Sequence, residues 1–185
     1  PGPLAAQLAI YLGYVHYQVY DISFSADAEA AQQAIEAYSA ASDIAPRIAL
    51  HHSNLGRILL DERRYDEAVE RLTAAIDADW ELSYAEETFG WLDFDRRNYE
   101  EALSHFDKAS TLAEMDNGPR LGLGWTHLQL QQFEQAEREF QAALEYDADD
   151  PHAHYAIARL RQAHGDYDGA VAEMTRVLEL RPHQP

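Results

Sequence analysis

The chain has 185 residues, of which 46% are hydrophobic and 25% charged, and its formal net charge is −19. This balance is typical of a folded protein with a sizeable core, and the lack of cysteine excludes disulfides, thiolate metal sites and a cysteine nucleophile. Because 14 basic residues are scattered among 33 acidic ones, no cationic surface is expected for nucleic acid or an anionic membrane.

The first predicted element is an apolar helix over residues 4–20. Residues 1–20 carry no formal charge, and 13 of the 17 residues from 4 to 20 are apolar. Leucines and valines recur at helical spacing, with tyrosines beside them. These residues are Leu4, Leu8, Leu12, Val15, Val19, Tyr11, Tyr14, Tyr17 and Tyr20. Polar residues interrupt the segment, so a membrane span is disfavoured. A buried helix is expected, with a partner surface or the end of an upstream membrane anchor as alternatives.

A loop and another helix complete the first part of the chain. Residues 22–25 form the expected loop, and Ala34, Tyr38 and Ala41 lie on one face of a helix that ends before Pro46. Residues 1–48 are therefore expected to form a divergent helix pair with an inserted loop.

From residue 49 onward the sequence repeats every 34 residues without insertion or deletion, and internal repetition is the strongest indicator of a stacked architecture. One small residue recurs as Gly56, Gly90, Gly124 and Ala158. A second small residue follows twelve positions later as Ala68, Ala102, Ala136 and Ala170. A large residue follows four positions after that as Leu72, Phe106, Phe140 and Met174. The units span residues 49–82, 83–116, 117–150 and 151–185.

Helix packing explains this pattern. Small residues let two antiparallel helices approach closely, and the large residues fill the space between units. A single helix pair cannot bury its apolar face, so successive pairs stack. The pattern resembles the tetratricopeptide-repeat (TPR) family over residues 49–184. The resemblance implies an all-α fold, a right-handed α-solenoid of antiparallel helix pairs.

Capping residues mark the predicted helix starts. Asp150 followed by Pro151 predicts an N-cap and a first-turn proline. Asn98 with Glu101 three residues later predicts a capping box.

Two positions depart from the TPR pattern, and the first of them, where the family usually has tryptophan, is occupied by His52, Glu86, Arg120 and His154. Asp93, His127 and Arg161 stand where the family usually has tyrosine. Because stacked helices lie about 9–10 Å apart, we predict a polar ladder in which His127 contacts Asp93. That contact would favour the charged imidazole, and Arg161 would oppose it.

The TPR resemblance also implies a concave groove lined by the first helix of each pair. By register the lining residues are Asn54, Arg57, Tyr84, Glu87, Trp91, Asp95, Leu121, Trp125, Tyr155 and Arg159. Trp91 and Trp125 are 34 residues apart and are expected to form aromatic walls. The alternative is that both tryptophans pack between neighbouring units. The Lys and Asn clamp with which cochaperone TPRs bind a chaperone tail is absent, so that ligand is not expected.

Catalytic and metal-binding patterns are not found. The pairs His51–His52 and His152–His154 have spacings that point helical side chains in different directions, which does not suit a chelate. The acidic run 147–150 lacks the glycine and closing glutamate of a calcium loop. No phosphate-binding loop, nucleophile elbow or zinc-protease motif occurs. We therefore expect no cofactor, no metal, no small-molecule substrate and no enzymatic activity.

The ends of the array are the other candidate interface. TPR arrays commonly finish with an extra helix that shields the last unit, and residues 181–185 are too short and proline-rich to form one. The candidate end-face residues are Tyr11, Tyr14, Tyr17, Val171, Met174 and Leu178. We expect the C-terminal face to be covered by another chain, by a symmetry-related copy or by sequence not contained in this chain.

The sequence therefore predicts a protein-interaction scaffold that binds a peptide or helical segment of a partner in an aromatic and acidic groove. Two alternatives remain: a structural protein that assembles into a homo-oligomer through its terminal faces, and an accessory TPR domain excised from a larger protein. The compartment, cytoplasmic or periplasmic, stays open because the chain shows no targeting signal.

Overall fold

The computed structural model describes residues 28–79, 83–113 and 116–180, which form nine α-helices and no strand. The helices are α1 Ala28–Ile44, α2 Ala49–Asp61, α3 Tyr65–Ala78, α4 Ser83–Asp95, α5 Tyr99–Leu112, α6 Gly118–Gln129, α7 Phe133–Tyr146, α8 Pro151–Ala163 and α9 Tyr167–Leu180. The predictions for residues 4–20 and 22–25, with Tyr11, Tyr14 and Tyr17, lie outside the described residues. None of the helices in the described part combines the length and apolar character that crossing a membrane requires.

The helices divide into two compact units, Pro1–Leu92 and Asp93–Pro185. In the first unit α1 packs on α2, and α2 packs on α3. The core of this unit contains Tyr38, Leu55, Ile58 and Leu72, each almost completely buried. The predicted face of α1 is confirmed, since Ala34, Tyr38 and Ala41 are all buried.

In the second unit each of the helices α5 to α8 packs on the next one in the chain. The large repeat residues Phe106 and Phe140 are fully buried, as the 34-residue pattern predicts. Phe140 shares a core cluster with Ala156, Ile157 and Leu160 of α8. The second helix of one pair is thus covered by the first helix of the next pair.

Glycine at the small repeat position permits close contact between the two helices of a pair. A Cβ added at Gly56 would lie 2.7 Å from Cδ2 of Leu72, and one added at Gly124 would overlap the ring of Phe140. Such overlap cannot be accommodated without moving the neighbour. The interpretation of these glycines as close-approach positions is confirmed.

The turn inside each pair uses one left-handed residue at the same repeat position. These residues are Arg63, Arg97, Gln131 and Gly165, with φ of 58°, 64°, 59° and 79°. Only glycine adopts this conformation without steric cost. Gly165 is therefore the one member of the set that the sequence could have revealed.

The predicted polar ladder is wrong. His127 Nδ1 lies 2.7 Å from Oε1 of Gln132, five residues along the chain, and Asp93 pairs instead with Asn98 and His105. Arg161 contacts Glu173 of its own pair at 3.2 Å. This repeat position lies two residues before the end of the first helix. The side chains therefore turn toward their own turn and second helix rather than toward the next pair.

The two capping predictions have different outcomes. The Asp150 carboxylate accepts a hydrogen bond of 2.8 Å from the His152 N–H, with Pro151 as the first helical residue, so this cap is confirmed. Asn98 precedes α5, but its side chain makes no capping bond and donates to Oδ1 of Asp93 at 3.3 Å. The capping box at Asn98 is therefore wrong: its side-chain oxygen accepts no capping bond, and its backbone N–H, which Glu101 would bind, donates to the Asp93 carbonyl at 2.8 Å.

Candidate partner-binding surface

In the second unit the first helices α6 and α8 bring two aromatic side chains together. The rings of Trp125 and Tyr155 lie 5.9 Å apart at 42°. Trp125 also meets the buried ring of Phe140 edge-on, with centroids 5.6 Å apart. The indole is half-buried and Tyr155 is 40% exposed. Trp125 is thus held by the core while it borders the surface.

Two further predicted residues flank this pair. Leu121, one turn before Trp125, is half-buried against the same core cluster. Arg159, one turn after Tyr155, is exposed. We call Leu121, Trp125, Tyr155 and Arg159 the aromatic patch. Its anchored rings can receive an apolar side chain, and its guanidinium can pair with a carboxylate.

The predicted residues of the first unit form a more polar surface. The Asn54 amide donates to the Tyr38 hydroxyl at 3.2 Å, and Nε1 of Trp91 donates to Glu87 Oε1 at 3.3 Å. Trp91 is half-buried and packs against the core of this unit. Neighbours therefore hold the side chains of Asn54, Glu87 and Trp91 in place. We call Asn54, Arg57, Tyr84, Glu87 and Trp91 the polar patch.

Tyr84 lies among charged groups in the polar patch. Burial raises the pKa of Tyr84, the carboxylates of Glu87 and Asp61 raise it further, and Arg57 opposes them. Since burial disfavours the phenolate, the hydroxyl stays protonated and can donate a hydrogen bond at every physiological pH.

The remaining groove predictions concern Asp95 and the pairing of Trp91 with Trp125. Asp95 is exposed at the last residue of α4. The aromatic neighbour of Trp125 within its own unit is Tyr155, whereas its pairing with Trp91 stays a prediction. Neither indole is completely buried, so neither serves the core alone.

A cleft opens beside α8 and α9 at the end of the second unit. Its volume is about 460 Å³, and α9 contains no buried residue. We define the end cleft by the side chains that dominate its lining: Tyr155, Arg159, Tyr167, Val171, Met174 and Leu178. Val171, Met174 and Leu178 are exposed, at 65%, 38% and 63%, and their role as an end-face interface stays a prediction. Tyr155 and Arg159 belong both to this cleft and to the aromatic patch.

Sequence reasoning missed two features of these surfaces. Tyr167, 67% exposed, adds to the end cleft. Two polar contacts also link the helices of a pair at equivalent repeat positions: the Arg120–Glu139 ion pair at 3.4 Å and the contact of 2.7 Å between His154 Nδ1 and Glu173. An arginine or histidine followed by a glutamate 19 positions later in successive repeats was the signal that could have revealed them.

No metal centre is visible among the described side chains, where no group of three or more His, Asp and Glu residues converges.

Comparisons with known proteins agree with the helix pairs. Family models described as tetratricopeptide repeat match residues 25–83, 93–160 and 151–184. No curated protein matches the chain in sequence.

Solved structures resemble the chain at low sequence identity. A thermophilic TPR protein of Thermus thermophilus is 19% identical with a TM-score of 0.83, over 97% of this chain and 93% of that one. PilF of Pseudomonas aeruginosa is 22% identical with a TM-score of 0.76, over 95% and 76%. YrrB is 18% identical with a TM-score of 0.60, over 95% and 86%.

At these identities the structures report on the fold, and all-α TPR proteins are among them. The family models extend over nearly all the described helices. The chain therefore has the all-α solenoid fold of antiparallel helix pairs, and it belongs to the tetratricopeptide-repeat family.

Proposed function

We propose that this chain is a protein-interaction scaffold whose first helices hold an extended or helical segment of a partner protein. Members of the TPR family mediate contacts between proteins and are typically non-catalytic. YrrB, which shares the fold, is described as a TPR protein with an unusual peptide-binding site. These relationships support the class of function.

The observation that carries the proposal is the contact between Trp125 and Tyr155. Trp, Tyr and Arg are the residues that most often dominate binding energy at interfaces. Trp125 packs against Phe140, so its side chain would lose little conformational freedom when a partner binds. Arg159 stands one turn from Tyr155 and is exposed. A partner segment with an apolar side chain next to an acidic group fits this arrangement.

The polar patch would serve the same kind of ligand in a different way. The protonated hydroxyl of Tyr84 and the amide of Asn54 are suited to the backbone of a peptide, whose N–H and C=O groups need partners when they leave water. Arg57 and Glu87 offer both charges within this patch. The polar patch is therefore expected to select for backbone conformation more than for one side chain.

Selection of a displayed library of random peptides against the whole protein tests the proposal. Peptides that bind are measured by calorimetry with wild type and with Trp125→Ala. We expect the substitution to weaken binding at least about tenfold, since truncating a central aromatic residue commonly costs ~2 kcal/mol or more.

Tyr146→Ala is the matched control, because Tyr146 is 51% exposed and lies at the end of the second helix α7. It should leave peptide affinity within about twofold of wild type. Circular dichroism and melting curves of both variants separate lost binding from lost folding. If the selected peptides bound Trp125→Ala as tightly as wild type, the aromatic patch would not be the binding surface.

A further inference from the structure

The end cleft differs from the equivalent surface inside the second unit. Phe106 and Phe140 are fully buried, whereas Met174 at the same repeat position is 38% exposed. The difference arises because no described helix packs on the outer face of α9. At the internal pairs of this unit, the first helix of the following pair covers the second helix. The end cleft is therefore shaped to receive a helix in that place on α9.

The internal contacts define what such a helix must look like. A Cβ added at Gly122 of α6 would overlap the ring of Phe106, so this position is where α6 approaches the preceding pair. Thirty-four residues later, Ala156 of α8 shares a core cluster with Phe140. Apolar residues follow directly as Leu123 and Ile157, both buried. The covering face is thus apolar and uncharged.

Residues 4–20 have the sequence register of such a first helix. Leu12-Gly13 repeats the pattern of Leu123-Gly124. In this register the position of Gly122 and Ala156 corresponds to Tyr11, and that of Leu160 corresponds to Val15. A large residue at position 11 would fill part of the end cleft, which has a volume of about 460 Å³ and is lined by Met174 where the two preceding repeats have phenylalanine.

Electrostatics also favours this pairing over contacts between other surfaces. Two copies that each carry a formal net charge of −19 repel one another, and the repulsion is strongest where carboxylates of the two copies come close. Residues 1–20 contain no charged residue. Among the described residues that line the end cleft, Arg159 is the one with a charge, and it is positive.

We propose that the end cleft of one copy binds residues 4–20 of a second copy, so that the chain associates head to tail. The juxtaposed positions are Met174 of one copy and Tyr11 of the other. Because the two contacting surfaces are different, a dimer still has one unoccupied surface of each kind. Further copies can therefore add at both ends. This site is separate from the polar patch and meets the aromatic patch only at Tyr155 and Arg159.

Sedimentation velocity over a range of protein concentrations tests the association. The wild type should form larger species as concentration rises, and more of them at high salt, because salt screens the repulsion between acidic chains. A Val171→Glu/Leu178→Glu variant should remain monomeric. Leu50→Glu/Leu112→Glu is the control, with the same added charge on side chains exposed by 49% and 38% outside the end cleft, and it should still associate.

All four substituted side chains are exposed, so both variants should fold, which circular dichroism verifies. A wild type that stays monomeric at high concentration and high salt overturns the proposal. Equal loss of association in the two double variants also overturns it, because charge alone would then explain the loss.

Disulfide trapping identifies the occupant, and the absence of cysteine from the sequence makes the result unambiguous. Tyr11→Cys and Met174→Cys, carried on chains of different tagged length, are mixed and oxidised. We expect the mixed disulfide to exceed that of a Leu50→Cys and Met174→Cys mixture. Predominance of the symmetric disulfide between two Met174→Cys chains would show that two end clefts face each other and would overturn the head-to-tail arrangement.

Failure of this experiment leaves the scaffold proposal intact, because Val171 and Leu178 are not part of the aromatic or polar patch. Conversely, Trp125→Ala tests peptide binding without altering a residue that defines the end cleft. The two proposals can therefore fail separately.

Discussion

His51 of α2 is a large polar side chain at a repeat position where the later pairs have Ala85, Pro119 and Ala153, all of them buried. It is 1% exposed, and neither ring nitrogen has a hydrogen-bond partner in the described part of the chain. Burial lowers the pKa of His51, the nearby Ala41 carbonyl offsets part of this effect, and His52 adds to the lowering. Burial therefore favours the neutral form of the His51 imidazole in the folded protein.

The first prediction concerns the pH dependence of stability. The pKa of His51 is lower in the folded state than its usual value of about 6.5, so the unfolded chain binds the proton first as pH falls. The free energy of unfolding should therefore fall as pH drops below about 6.5, and the loss should level off below the folded pKa. Chemical denaturation of wild type and His51→Ala between about pH 7.5 and about pH 5 measures this.

The free energy of unfolding of His51→Ala should depend less on pH over this range. At neutral pH it should differ from that of wild type by at most ~2 kcal/mol, because the cost of a small cavity offsets the benefit of removing a buried imidazole without a hydrogen bond. His127→Ala is the control, since His127 is half-buried and already bonded to Gln132. Indistinguishable pH profiles for wild type and His51→Ala would disprove the assignment.

At the scale of elements, the contact between the helices of a pair depends on complementary residue sizes. Gly124 meets Phe140, whereas the last pair combines Ala158 with Met174 at the same positions. A larger residue on one helix thus requires a smaller or more flexible one on the other.

The second prediction is a compensating exchange at this contact. Gly124→Ala should destabilise the protein by about 1–3 kcal/mol, because the new methyl group overlaps a stiff aromatic ring. Combining it with Phe140→Met recreates the pair found in the last repeat. The double variant should be more stable than the sum of the single changes implies, by ~1 kcal/mol or more. Denaturant unfolding of the four proteins gives the coupling energy.

As a control, Gly124→Ala combined with Leu72→Met should show additive effects, because Leu72 contacts Gly56 in another pair. Additive effects of Gly124→Ala and Phe140→Met would mean that the two side chains do not share one packing constraint.

At the scale of the whole molecule, charge is the dominant property. The 33 acidic residues exceed the basic ones by 19. Surface ion pairs such as Arg64–Glu67 at 2.7 Å and Arg176–Glu179 at 3.2 Å offset little of the repulsion, because water and salt screen exposed pairs. The folded chain is therefore under net electrostatic repulsion.

The third prediction follows from this repulsion. Raising NaCl from about 0.02 M to about 0.5 M should raise the melting temperature, because the screening length falls well below the dimensions of the protein. The measurement is calorimetry at low protein concentration, where self-association does not contribute. A melting temperature that falls with salt would show that attractive ion pairs outweigh the repulsion.

The repeat pattern by itself determined the helix pairs and most of the core. A period of 34 residues with small and large residues at fixed positions has one solution in helix packing, and Ala68, Leu72 and Phe106 are buried as that solution requires. The Asp150 cap was also predictable, because it depends on residues that are neighbours in the chain.

The tertiary structure decided which polar and aromatic side chains meet. His127 contacts Gln132 rather than Asp93, and Trp125 contacts Tyr155 on α8, the first helix of the following pair. Register tells which residues share a helix face. The rotation of each helix about its axis and the reach of each side chain decide the contact, and both depend on how neighbouring helices pack. The fold was therefore readable from periodicity, whereas the composition of the binding surfaces required the packed helices.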